Sequence, residues 1–191
     1  MGRLKRAALL TRLMERLREN GSWCGETHMQ KAAFLVQELM GIPLDLEFVL
    51  YRHGPYSFDL RDELTGLRAD GLVRLEPQRS WGPRLAPTEH SAYIRELYPR
   101  TLKEYEESLN FVAVELGDKG VAALECLTTA FYAYRRPEAG ETVERRVAWV
   151  RERKPHIPAQ LAMTAFEDVE RMVQEAGRHV PARPAWVSST P

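Results

Sequence analysis

The stretch from Leu46 to Ala86 constrains the fold most, because signals for strands, turns and a helix follow one another in close succession. Within residues 46–51, a leucine or phenylalanine at every second position alternates with other residues, which is typical of a strand with one buried face. The Gly54-Pro55 pair interrupts this strand and predicts a turn.

A helix and a small hairpin are predicted to follow this turn. Ser57 is a suitable helix N-cap, apolar residues recur after it at helical spacing, and Gly71 accepts the left-handed backbone that ends a helix. Residues 72–75 and 83–86 are then expected to form two short strands joined by a loop. This order predicts the second half of a winged helix. We expect the strand at residues 46–51 to join the hairpin in a three-stranded sheet.

The composition is that of a globular protein without a membrane span. Of the 191 residues, 44% are hydrophobic and 28% are charged, and no apolar run is long enough to cross a bilayer. The first residues continue into a helix without a signal-peptide cleavage pattern, so we expect a cytoplasmic location. The two cysteines, Cys24 and Cys126, lie far apart in the sequence. This spacing predicts two packed thiols rather than a disulfide or a zinc site.

The charge balance disfavours a protein that depends on nucleic-acid binding. The 27 basic residues equal the 27 acidic residues, so there is no general surplus of cations to neutralise phosphate groups. In a winged helix, the helix predicted from Ser57 to Asp70 would enter the major groove, but here its net charge is negative. DNA binding stays open as an alternative because the first predicted helix, Leu4 to Arg18, is basic and because the hairpin region contains Arg74, Arg79 and Arg84.

Most of the remaining sequence predicts helices. Thr27 and Gln30 are expected to form a capping box for the second helix, and Asp118 is expected to cap a helix that ends near Tyr134. A long, regular apolar stripe in residues 102–116 predicts a helix packed on its neighbours. These patterns predict a mainly α fold with a small β-sheet, of the α+β class. They divide the chain into a winged-helix-like domain (1–87), a C-terminal helical bundle (88–177) and a flexible tail (178–191).

His53 is the residue most suited to general base catalysis, but no partner set accompanies it. The sequence contains no nucleophile motif, no metal-binding motif and no glycine-rich phosphate loop. We therefore expect no catalytic residue, metal or cofactor. The position before Gly54-Pro55 predicts that His53 fixes the turn by bonding to backbone groups, and a binding role stays open.

One run of residues resembles a known group of proteins. The run QKAAFLVQELMGIPLDLEFVLYRHGPYSFDLRDELTGLRADGLV resembles uncharacterised bacterial winged-helix-like proteins. These proteins combine such a helix with a Y-x-x-GPYS turn and a later V-x-x-x-KP segment, which Val150 to Pro155 match here. The run is also distantly similar to the Panacea domain, an antitoxin domain of the SocA type that shares the His-Gly-Pro turn. These resemblances imply a non-enzymatic protein that binds a partner, which in the Panacea case is a toxin encoded beside it.

Three functional hypotheses follow. The first is a protein-interaction module, such as an antitoxin or an accessory component of a bacterial toxin–antitoxin or phage-defence system. The second is a winged-helix transcriptional regulator that binds DNA and forms a homodimer through its C-terminal helices. The third is an enzyme that uses His53 as a base. For the first hypothesis, we expect the partner to contact the turn and the start of the next helix, at Arg52, His53, Gly54, Pro55, Tyr56, Ser57 and Arg61.

Overall fold

The computed structural model describes residues 1–78 and 82–179. Within these ranges the chain forms eight α-helices, a short 3-10 helix and two antiparallel two-stranded sheets. The predicted mainly α, α+β class is therefore confirmed. The elements are α1 (Arg3–Glu19), α2 (Glu26–Glu38), β1 (Val49–Tyr51), β2 (Gly54–Tyr56), α3 (Phe58–Ala69), β3 (Val73–Glu76), β4 (Arg84–Pro87), α4 (Glu89–Glu96), α5 (Pro99–Leu116), α6 (Val121–Tyr134), the 3-10 helix (Pro137–Ala139), α7 (Val143–Arg153) and α8 (Ala159–His179).

One of the predicted helix caps is confirmed and two are wrong. The backbone N–H of Leu60 donates to Ser57 Oγ at 3.2 Å, so Ser57 caps α3 as predicted. In contrast, α2 follows Gly25 and α6 follows Gly120, and neither glycine supplies a side-chain cap. Thr27 and Gln30 lie inside α2, where the Gln30 amide binds the backbone of Ser57 instead of closing a capping box.

The predicted three-stranded sheet is wrong. β1 pairs with β2 in a hairpin whose register joins Val49 to Tyr56 and Tyr51 to Gly54, whereas β3 pairs only with β4. The predicted strand is also shorter than expected, because the backbone of Leu46 exchanges two hydrogen bonds with the Gln37 side chain, at 2.8 and 2.9 Å. The Leu46 backbone groups therefore bond to a side chain instead of to a neighbouring strand. The predicted order of helix and hairpin is present in α3, β3 and β4, and the winged-helix assignment stays a prediction.

A single cluster of buried apolar side chains holds the helices together. α1 packs on α4 and α5, α2 packs on α5 and α6, and α8 packs on α6 and α7. The apolar stripe predicted for α5 is confirmed, with Leu109, Val112, Ala113 and Leu116 all buried. The cluster contains residues from both sides of residue 87, and the division of the chain into two domains stays a prediction.

The last helix extends into the predicted tail. Residues 178 and 179 of the predicted tail belong to α8, and residues 180–191 lie outside the described residues, as does Arg79 of the hairpin loop. None of the helices in residues 1–78 and 82–179 has the length and apolar character needed to cross a membrane.

Candidate interaction site

The segment that the sequence singled out forms a tight hairpin at the junction of α2, α6 and α7. Arg52 and His53 make the two-residue turn, both with exposed side chains, and the Gly54-Pro55 pair predicted to be the turn lies in β2 instead. Gly54, Pro55 and Ser57 are buried, so only the remaining members of the predicted site have side chains that reach solvent. Those members are Arg52, His53, Tyr56 and, on the exposed face of α3, Arg61.

Side chains from distant parts of the chain bind the backbone of this hairpin. Lys31 Nζ donates to the carbonyl oxygen of Pro55 at 2.8 Å. Gln30 accepts from the Ser57 N–H at 2.8 Å and donates to the Ser57 carbonyl oxygen at 2.9 Å. Lys154 Nζ donates to the carbonyl oxygens of the residues at positions 51 and 52. These bonds pair backbone groups of the hairpin with side chains of other elements, and they fix the hairpin against the helices.

A buried carboxylate lies at the centre of these contacts. Glu125 of α6 is buried, and its carboxylate lies 3.7 Å from Lys154 Nζ. Its oxygens also lie 3.4 Å from Nδ1 of His53 and 3.0 Å from Nε2 of His156. The prediction that His53 bonds to backbone groups of the turn is therefore wrong, because its ring nitrogen faces this carboxylate.

Burial lowers the pKa values of Lys31 and Lys154, the two lysines that interact with Glu125. Lys31 is only 1% exposed, and burial lowers its pKa to about 8, against the attraction of Glu125 and with a further lowering by Lys154. Burial also lowers the pKa of Lys154, which Glu125 opposes through its charge and a hydrogen bond. Removing Glu125 or one of the lysines would leave a buried charge without its partner, which is strongly destabilising. We therefore expect these three charges to stabilise the fold.

Gly54 permits the close approach of the hairpin to α6. Its φ of +84° lies in the left-handed region, and a Cβ atom at this position would lie 2.9 Å from Thr129 Oγ1. The same Cβ would lie 3.4 Å from the carbonyl oxygen of Glu125. A residue other than glycine would therefore have to strain its backbone and displace α6.

The outer face of the hairpin presents a cluster of aromatic rings, which we call the aromatic surface and define as Tyr51, Tyr56, Phe58 and Arg61. The ring centroids lie 5.6 Å apart for Tyr51 and Tyr56, 5.7 Å for Tyr51 and Phe58, and 5.1 Å for Tyr56 and Phe58. The Arg61 guanidinium lies 5.3 Å from the centre of the Phe58 ring. Tyr51 is 45% exposed and Phe58 is 44% exposed, so these rings are accessible to a partner.

Sequence reasoning missed Tyr51 and Phe58 as members of this surface. The signal was present in the strand alternation, because Tyr51 occupies the position opposite to the buried face of Leu46, Phe48 and Leu50. A two-residue turn at positions 52 and 53 places Tyr51 and Tyr56 on the same face of the hairpin. Locating the turn at Gly54-Pro55 hid this relationship.

The arginines of α1 form ion pairs within the molecule. Each arginine of this helix pairs with a carboxylate, with distances of 2.7 Å for Arg6 and Glu63, 2.8 Å for Arg12 and Glu106, and 3.0 Å for Arg18 and Glu76. Arg3 and Arg16 pair with Asp70 and Glu106. The pair with Arg6 holds Glu63 of α3 against α1, and the pairs together balance the arginine charges of the helix that offered the largest basic patch for DNA.

The described residues show neither a disulfide nor a metal-binding cluster. Cys24 and Cys126 are both free, as predicted, with Cys24 buried and Cys126 half-buried. In residues 1–78 and 82–179, no group of three or more His, Cys, Asp and Glu side chains is arranged to hold a metal ion.

The comparisons with known proteins found no family model that matches the chain and no similar curated protein. Within the structure, the two motifs on which the proposed resemblance depends contact each other, because Lys154 of the V-x-x-x-KP segment binds the carbonyl oxygens at the start of the His-Gly-Pro turn. This contact gives both motifs a shared structural role.

Proposed function

We propose that the protein is a non-enzymatic protein-interaction module, such as an antitoxin or an accessory component of a bacterial toxin–antitoxin or phage-defence system. In this proposal it captures its protein partner with the aromatic surface. The observation that carries the proposal is the exposed cluster of three aromatic rings and a stacked guanidinium on a hairpin bound to three helices.

The chemistry of the aromatic surface supports a protein partner. Tyrosine, phenylalanine and arginine are enriched at protein interfaces, and tyrosine and arginine dominate the few residues that carry most of the binding energy. Their rings bury a large apolar area on contact, and Tyr56 keeps a polar hydroxyl, which donates to Glu26 at 3.2 Å. A partner with an apolar side chain flanked by a carboxylate would complement the rings and Arg61.

The rigidity of the hairpin supports the same proposal. Lys31, Gln30 and Lys154 fix its backbone, so a partner would meet side chains on a backbone that is already ordered. Less conformational entropy is then lost on binding than for a mobile loop. The buried residues Gly54, Pro55 and Ser57 contribute to binding only by keeping the hairpin backbone in place.

A DNA-binding regulator receives less support than a protein-interaction module. Phosphate contacts require cations that are available at the surface, and the arginines of α1 are paired with carboxylates of α1, α3, β3 and α5. The catalytic hypothesis for His53 receives no support from its neighbours. Its ring nitrogen faces the buried carboxylate of Glu125 rather than a nucleophile.

The test is affinity purification of the tagged full-length protein from its native host, followed by titration of the captured partner in purified form. Tyr51→Ala and Phe58→Ala are each expected to weaken the affinity about tenfold or more, because each removes a ring that would be buried at the interface. Both variants are expected to keep the parent melting temperature within a few degrees, since the side chains are exposed.

Tyr93→Ala is the matched control, because Tyr93 of α4 is 63% exposed and lies outside the aromatic surface. This variant is expected to bind as the parent does. Unchanged affinity of both folded hairpin variants would exclude the aromatic surface. Failure of the parent to capture any protein would contradict the proposed interaction module as a whole.

A further inference from the structure

A cleft of about 710 Å³ opens between α3, the β3–β4 hairpin and the loops that precede α2 and α6. Its volume falls within the range of sites that bind small molecules, about 300–1,000 Å³. The apolar part of the lining consists of Trp23, Leu64, Leu75, Pro83, Leu85 and Val121.

The charged part of the lining is positive. Among the described residues, four cations, Arg61, Arg68, Arg84 and Lys119, line the cleft together with two carboxylates, Glu26 and Asp118. Three of the cations already have partners: Arg84 donates to the carbonyl oxygens of residues 22 and 23, Arg61 pairs with Asp62, and Lys119 Nζ lies 3.7 Å from an oxygen of Asp118. The Arg68 guanidinium has no hydrogen bond or ion pair with another residue in the described part of the chain. The cleft thus offers an unpaired guanidinium within a lining of net positive charge.

The N-terminus of α6 adds hydrogen-bond donors to the same wall. Gly120 and Val121 line the cleft, Gly120 has no side chain to accept from the first N–H groups, and the first turn of α6 contains no acidic residue. A Cβ atom at Gly120 would meet nothing within 4 Å, so this helix end borders open space. Free N–H groups and the positive end of the helix dipole favour an anion here.

A buried histidine with an unpaired ring nitrogen is a second, independent feature of the same cleft. His28 lines the cleft and is only 5% exposed, and its Nδ1 has no hydrogen-bond partner among the described residues. Burial lowers the pKa of His28, against a hydrogen bond to the backbone of Lys119, and thereby favours the neutral ring. An unpaired buried polar atom is destabilising, and such atoms are uncommon in folded proteins.

We infer that this cleft is a binding site for a nucleoside monophosphate. The phosphate would bind at the α6 N-terminus beside Arg68 and Lys119, where N–H groups and a guanidinium fork match its oxygens. The base would lie along the apolar wall that includes Trp23 and Leu85. This site is independent of partner capture by the aromatic surface, although Arg61 borders both.

The experiment measures binding to the full-length protein by isothermal titration calorimetry. The probes are AMP, GMP, CMP and UMP, the four corresponding nucleosides, and inorganic phosphate. At least one monophosphate is expected to bind with a dissociation constant below about 100 μM, and its nucleoside and phosphate are each expected to bind at least tenfold more weakly. If no monophosphate binds at a concentration of about 1 mM, or if nucleoside and nucleotide bind equally, the inference is wrong.

Gly120→Asp is the decisive variant, because it is expected to stabilise the helix and at the same time to weaken nucleotide binding. An N-cap aspartate stabilises α6 and places a carboxylate where the phosphate would bind. The melting temperature is expected to be equal to or above that of the parent, while the affinity for the nucleotide falls at least tenfold. Arg68→Gln is expected to weaken binding at least fivefold, also without loss of the fold.

Gly2→Asp is the matched control. Gly2 is the N-cap of α1, also lacks a side-chain cap, and a Cβ there would likewise meet nothing within 4 Å. Because it lies outside the cleft, this variant is expected to bind the nucleotide as the parent does. Parent-like binding by Gly120→Asp, or equal losses in Gly120→Asp and Gly2→Asp, would refute the site. Phe58→Ala is expected to bind the nucleotide as the parent does. The experiment therefore tests the nucleotide site separately from the proposal that the aromatic surface captures a protein partner.

Discussion

Replacing Gly54 with alanine tests whether the hairpin depends on its close approach to α6. Two costs act on this variant. A residue with a Cβ pays about 1–2 kcal/mol to occupy the left-handed region that Gly54 adopts at φ +84°. The new Cβ would also lie 2.9 Å from Thr129 Oγ1, and overpacking of this kind typically costs about 1–3 kcal/mol. We expect Gly54→Ala to lower the free energy of unfolding by about 2–5 kcal/mol.

Gly21→Ala separates the two costs. Gly21 has a nearly identical φ of +87°, but a Cβ there would meet nothing within 4 Å. Both variants therefore carry the backbone strain and the same change in unfolded-state entropy, and they differ only in the contact with α6. In urea unfolding followed by circular dichroism, Gly54→Ala is expected to be less stable than Gly21→Ala by about 1–3 kcal/mol.

A double-mutant cycle identifies the atom responsible. Thr129 Oγ1 has no hydrogen-bond partner among the described residues, so Thr129→Ala removes the crowding atom without orphaning another group. In the Gly54→Ala background this second substitution is expected to restore about 1 kcal/mol or more, relative to its effect in the parent. Equal stabilities of Gly54→Ala and Gly21→Ala, together with additivity in the cycle, would refute the close contact between hairpin and α6.

Two further predictions concern groups whose pKa burial shifts. Lys31 has a folded-state pKa of about 8 against a usual value of 10.5, so the unfolded chain binds more protons between these pH values and stability rises with pH across them. Relative to Lys31→Met, the parent is expected to gain up to about 3 kcal/mol of unfolding free energy from pH 8 to pH 10.5, and parallel stability profiles of the two proteins would contradict this. Burial raises the pKa of Cys24 to about 12, whereas Cys126 is only half-buried, so a thiol reagent followed by intact mass is expected to label Cys126 first. Equal labelling rates under native conditions would show that Cys24 is accessible.

The elements that the sequence predicted well are those specified by neighbouring residues. The cap at Ser57 and the buried stripe of α5 depend on spacings of three or four residues, and both are present. Gly71 adopts the left-handed backbone expected at the end of α3, with φ +71°. Such signals are local, so they can be read without knowing what packs against the segment.

The errors in the hairpin region arose where a distant side chain competed with a local pattern. The alternation of Leu46, Phe48 and Leu50 predicted a strand that continues through residue 46, but the Gln37 side chain bonds the backbone of Leu46. Gln30 matched a capping box and instead binds Ser57. In both cases the local sequence pattern predicted a different role for the residues involved, in a strand ladder or in a helix cap. Instead, the amide side chain forms hydrogen bonds with the backbone of another segment.

Only the tertiary structure could assemble the cluster around Glu125. Lys31, His53 and Glu125 are distant from one another in sequence and from the segment that carries Lys154 and His156, and no local pattern predicts that these groups meet. Local pattern indicates which face of a helix is apolar, but not which backbone carbonyl groups another element brings to that face. Lys31 and Lys154 are buried because the hairpin carbonyl oxygens and Glu125 replace the water they would lose. That replacement exists only once α2, α6, α7 and the hairpin have packed together.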